Sequence, residues 1–175
     1  MQRVFKRRNQ KGGRVNLNKP YFTLISRIEN ELDELDKVVE KINSGWERIE
    51  NTYDELILDS IALNLHDYYA GLERIFELIA TEIDDNIPQG ESWHQDLLNQ
   101  MKISIKKVRP QVISKEIANK LDEYRGFRHI VRNVYTFNLS KERIKPLVKN
   151  LSPLKEEIRK DIEEFINFLE DRANS

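Results

Sequence analysis

From Pro20 onward, apolar side chains return every three or four residues, and a chain patterned in this way buries them by forming amphipathic helices that pack on one another. The first stripe runs through Tyr21, Leu24, Ile25, Ile28, Leu32, Leu35, Val38, Val39, Ile42, Trp46 and Ile49. It predicts a long helix, with Ser44-Gly45 as the place where it would be interrupted. A second stripe, Leu58, Ile61, Ala62, Leu65, Tyr69, Leu72, Phe76, Ile79 and Ile83, ends at a loop over residues 84–90, whose Pro88 and Gly90 resist helical continuation. Two long helices in a hairpin follow from this pattern.

Further along, Ser92 is placed to cap a shorter helix over residues 92–104 that carries Trp93, Leu97, Leu98 and Met101 on one side. Arg109-Pro110 breaks the chain. Ser114 caps a helix with Ile117, Leu121, Tyr124, Phe127, Val131 and Val134 on its apolar arc, ending near Asn138, and Ser140 caps another. Ser152-Pro153 reads as a kink or as a fresh N-cap with proline at the first helical position, ahead of a last stripe of Leu154, Ile158, Ile162, Phe165 and Leu169. No segment alternates as a strand would. The expected fold is all-α, an antiparallel bundle of four to five main helices over residues 20–175, preceded by a basic tail over residues 1–19.

That tail holds Arg3, Lys6, Arg7, Arg8, Lys11, Arg14 and Lys19 and no acid, whereas the rest of the chain has 22 basic against 30 acidic residues. Such an arm is either a solvated end or a segment that tracks phosphates or an acidic partner. The absence of cysteine removes disulfides, cysteine-type zinc sites and thiol nucleophiles from consideration. No apolar run reaches the roughly 20 residues that span a bilayer, and a cytoplasmic protein without membrane attachment is expected. Phosphate loops, dinucleotide fingerprints, nucleophile elbows and His-Glu-x-x-His zinc motifs are all missing, so no cofactor and no metal is expected. His66, His94 and His129 stand far apart. His94, beside Trp93, is expected to pack and cap beneath its loop, and His66 to sit at the polar edge of the second helix.

Polar chemistry concentrates in Tyr124-Arg125-Gly126-Phe127-Arg128-His129-Ile130-Val131-Arg132-Asn133-Val134-Tyr135. At 100° per residue, Arg128, Arg132 and Tyr135 fall within about 60° of one another, with His129 and Asn133 one turn apart on the adjoining side. Guanidinium groups suit bidentate phosphate binding, and imidazole carries protons near neutral pH. The same spacing also occurs in ordinary solvated helices, where arginines pair with acids such as Asp122 and Glu123 and a tyrosine sits at the core edge.

At this stretch the chain resembles the HEPN superfamily, and within it the HepT-like proteins, whose signature on a late helix is Arg-x4-His-x-Tyr with a polar residue after the arginine. Arg128 and Tyr135 fall in register, His129 fills the polar position, and Asn133 stands where the histidine is expected. Asp67-Tyr68-Tyr69-Ala70-Gly71-Leu72-Glu73-Arg74-Ile75-Phe76 and Gly90-Glu91-Ser92-Trp93-His94-Gln95-Asp96-Leu97-Leu98 look like further segments of that group. The resemblance covers approximately residues 25–170.

The resemblance implies a metal-independent endoribonuclease toxin whose homodimer forms a composite cleft. Arg128, His129 and Asn133 would stand at the catalytic positions, with Arg132 and Arg125 binding RNA phosphates. It also implies a nucleotidyltransferase antitoxin that neutralises the toxin, with AMP transfer to Tyr135 as one route. Asparagine cannot shuttle a proton, so cleavage would fall to His129. The alternative is a weak or inactive bundle that serves as a binding module for a nucleotidyltransferase, a nucleotide or RNA. Glu73 and Arg74 are expected in an ion pair across helices or in the dimer cleft, and Gly71 at a close helix approach.

Overall fold

The computed structural model describes residues 19–133 and 139–175, and the side chains of Arg132 and Asn133 fall outside that description. The described residues form five helices: α1 (Lys19–Asn51), α2 (Glu55–Glu82), α3 (Trp93–Met101), α4 (Lys115–Asn133) and α5 (Lys141–Ala173). The tail over residues 1–18 and the end of the fourth predicted helix toward Asn138 lie outside the described residues.

Helix α1 runs unbroken through Ser44-Gly45. Packing explains why the expected interruption does not occur: Gly45 sits against α2, and a Cβ there would lie 3.0 Å from Ile61 Cγ1. Glycine is needed for close approach within a continuous helix. Gly71 on α2 plays the reciprocal part, since a Cβ there would stand 2.5 Å from Leu35 Cδ2. The α1–α2 turn is closed by Asp54, whose carboxylate accepts from the Leu56 and Ile57 amides at 2.9 and 3.4 Å.

Helix α5 also continues where a break was expected, with Pro146 and Pro153 inside it. Proline removes the bond to the carbonyl four residues back. For Pro153 that carbonyl belongs to exposed Lys149, where water can satisfy it, while Leu151, Leu154 and Ile158 on the opposite side are buried. Ser152, rather than capping a new helix, accepts from Asn43 Nδ2 at 3.2 Å. Ser140 and Ser114 cap α5 and α4 as the sequence predicts, accepting from the Arg143 and Ile117 amides. Ser92 precedes α3, but its side chain makes no capping bond and the helix stops at Met101, short of residue 104.

Helix α1 packs antiparallel against α2 and α5. Gly45 meets Ile61 and Gly71 meets Leu35 on the first seam; Asp36 takes Arg159 at 2.6 Å and Lys155 at 3.3 Å on the second. Lys141 closes the far end by donating to Ile49 O at 2.9 Å. Helix α4 packs on α2, α3 and α5. Buried apolar residues of all five helices join in one cluster.

The loops flanking α3 are pinned by a buried ion pair. Arg109 and Asp84 have side chains 0% and 1% exposed, and Arg109 uses all five of its N–H donors. Nε and one terminal nitrogen bind Asp84 at 2.6 and 2.7 Å, and the remaining donors reach the carbonyl oxygens of Ile103, Pro110 and Gln100. Gln100 adds its own bond to Asp84 at 2.6 Å. The residue predicted only to break the chain therefore anchors the loops that hold α3 in place.

Candidate functional site

Three elements converge beside the core at a charged cluster. Glu73 follows Leu72 on the buried face of α2 and lies one turn from Tyr69 and Phe76, so helical geometry carries its carboxylate inward with them. Arg128 extends the core-facing line of Ile117, Leu121 and Tyr124 by one turn. Tyr124 fixes that line by donating to Leu147 O at 2.7 Å. His94 is the second residue of α3, and its ring lies 3.6 Å from that of Trp93, centroid to centroid.

Glu73 is shared between the other two. Its Oε1 lies 2.5 Å from His94 Nδ1, and its Oε2 takes Arg128 Nη1 at 3.0 Å. The same Arg128 nitrogen stands 3.1 and 3.2 Å from the two ring nitrogens of His94. The carboxylate is 4% exposed, the arginine 16% and the imidazole 22%, so the cluster grades from core to surface. Burial pushes the Glu73 carboxyl up to about 7; Arg128 opposes the shift, Glu77 adds to it and Arg125 opposes it. Burial also raises the Tyr69 hydroxyl, reinforced by Glu73. Tyr69 Oη and Arg128 Nε are buried without a hydrogen-bond partner among the described residues.

The raised Glu73 pKa has a testable sign. The folded chain keeps a proton on Glu73 that the unfolded chain releases near its ordinary value of 4.5. The stability this contributes is complete below about pH 4.5 and is lost as the pH climbs toward 7. Urea unfolding at pH 5 and pH 8 should therefore show the difference in stability between Glu73→Gln and the parent moving in favour of glutamine at the higher pH, by roughly 2 kcal/mol. A difference that stays constant with pH would contradict the shift.

The cluster faces a cleft of about 390 Å³ lined by Glu91, Ser92, His94 and Gln95 from the α3 side and by Arg125, Gly126, Arg128 and His129 from α4. Two roomier grooves, about 560 and 740 Å³, lie between α1 and α2 and contain no imidazole. The smaller cleft holds the proton-carrying and anion-binding chemistry together, with two histidines and two arginines on its walls.

Of the residues singled out in the sequence, Arg125, Arg128 and His129 reach this cleft together. Arg125 is also tied to Asp122 at 2.7 Å. Arg132 and Asn133 occupy the last turn of α4, with only their backbone described, and Tyr135 lies outside the described residues. His94 packs its ring on Trp93 as expected, and beyond that role it is bound to Glu73 and lines the cleft. His66 stays at the edge of α2 beside Asp67. Glu73 and Arg74 do join ion pairs across helices, each with its own partner, Arg128 and Glu31. A carboxylate beside an apolar stripe was the available signal for Glu73; its neighbours became apparent only in three dimensions.

The family described as HepT-like protein matches residues 60–169. The chain belongs to that family. The matched span takes in most of α2, all of α3 and α4 and most of α5, and so includes every residue of the cleft. No curated protein and no solved structure matches the chain. HepT-like membership agrees with the helical bundle and with the resemblance to HEPN proteins read from residues 124–135. No helix of the described residues is long and apolar enough to cross a membrane.

Proposed function

We propose that this HepT-like chain is the toxin of a toxin–antitoxin pair, a metal-independent endoribonuclease whose cleft is completed by homodimerisation. The observation that carries this reading is Arg128, held by Glu73 and His94 in a cleft that also contains Arg125 and His129. The arginines would bind the scissile phosphate and stabilise the charge that grows on it, and His129 would transfer a proton. A nucleotidyltransferase is the antitoxin, and AMP transfer to Tyr135 would silence the cleft by adding bulk and negative charge. The second reading, a binding module for such a partner, a nucleotide or RNA, is favoured by Asn133 at the place of the motif histidine.

Induced expression of the chain alone tests the proposal. Growth should stop and total RNA should be degraded, and Arg128→Ala should relieve both. If only Asn133→His degrades RNA, the natural chain is the binding module.

A further inference from the structure

Cleavage of RNA by its own 2′-hydroxyl needs two proton transfers, one from the attacking oxygen and one to the leaving oxygen. A single histidine in one protonation state performs one of them. Asn133 cannot perform the other, because an amide has no accessible pKa. The cleft nevertheless holds a second imidazole, from a different helix, backed by a buried carboxylate. An ordinary packing histidine needs no such support.

We propose that His94, oriented by Glu73, is the general base of the cleft, and that His129 is the general acid. This rests on the endoribonuclease reading given above. With Nδ1 directed at Glu73 Oε1, the proton-exchanging nitrogen of His94 is Nε2 once Glu73 is ionised, above about pH 7; its carboxylate behind Nδ1–H then fixes that tautomer and stabilises the imidazolium that forms. His94 Nε2 takes the proton of the 2′-hydroxyl as O2′ bonds to phosphorus. The bond from phosphorus to O5′ breaks, and His129 gives O5′ its proton. The products are a 2′,3′-cyclic phosphate and a 5′-hydroxyl, and each histidine ends in the state in which the other began. Arg128 Nη1, which stands 3.1 and 3.2 Å from the ring nitrogens of His94 and 3.0 Å from Glu73, would turn from Nε2 onto the phosphate and meet the charge that grows there.

The titratable and charged groups around Glu73 are Glu77 and Tyr69 on α2, His94 on α3, and Arg125 and Arg128 on α4. Because Glu73 and His94 are in direct contact, the acid side of the pH–rate profile belongs to the pair. Burial holds the Glu73 carboxyl near 7, so its ionisation belongs to that acid side.

The test is the pH–rate profile of the purified full-length chain on a short RNA oligonucleotide, with the 2′-deoxy version as a blank. The parent should give a bell. His94→Gln should lower kcat about 10²–10⁴-fold and remove the acid limb, and His129→Gln should remove the basic limb. Exogenous imidazole should restore part of the activity of His94→Ala, a rescue that a merely structural role would not allow. If the parent cleaves and Arg128→Ala does not, but His94→Gln keeps the parent rate or its acid limb, His94 is not the base and the endoribonuclease reading survives. If the parent cleaves nothing, both fall together.

Discussion

Replacing Arg109 with alanine is expected to cost about 3 to 5 kcal/mol, because it strands Asp84 as an uncompensated charge at a site where neither side chain touches water. Three backbone carbonyls lose a donor in the same step. For a chain of this length the midpoint of thermal unfolding should fall by roughly 10 °C. Calorimetry checks the value, and a double-mutant cycle checks the cause. Asp84→Leu with Arg109→Leu removes both charges at once and should cost far less than the sum of the single changes. Additive costs would mean that the pair is not coupled. The consequence reaches the cleft, since Arg109 and Gln100 hold the loops on either side of the helix that presents His94.

Arg128→Ala is expected to lower RNA cleavage by about 10² to 10³-fold, the usual cost of deleting one charge-stabilising donor at a reacting group. The same change frees Glu73 and His94 from their shared partner. Loss of activity should exceed loss of stability, because at neutral pH the Glu73 carboxyl, held near 7, can take a proton instead of remaining a bare buried charge. Arg128→Lys separates charge from geometry: an ammonium keeps the positive charge but cannot hold Glu73 and a phosphate with a planar fork. Lysine should therefore recover little. Cleavage rates and unfolding curves measured on the same preparations check both statements. Full activity in Arg128→Lys would show that charge alone suffices.

The fold was legible because the apolar period of three to four persists through nearly every helix, and period is a property of the chain itself. Its breaks were less legible. Gly45 and Pro153 signal an end by local rules, yet α1 and α5 run through them, because Ile61 fills the space over one and solvent satisfies the carbonyl freed by the other. The site was half legible. Arg128 and His129 share a helix, so spacing brought them to notice, and Arg125 came with them. Glu73 and His94 are separated by 21 residues, and His94 and Arg128 by 34. No periodicity links residues on three helices. Arg109 was misread for the same reason, its partner Asp84 lying 25 residues earlier.

The central claim, that the α3–α4 cleft cuts RNA, is tested most directly by incubating the purified parent chain with a single-stranded RNA in the presence of EDTA and analysing the ends of the products. Fragments ending in 2′,3′-cyclic phosphate, absent with Arg128→Ala, are the expected result. Intact RNA after prolonged incubation at micromolar protein would contradict the claim and leave the cleft as a binding site.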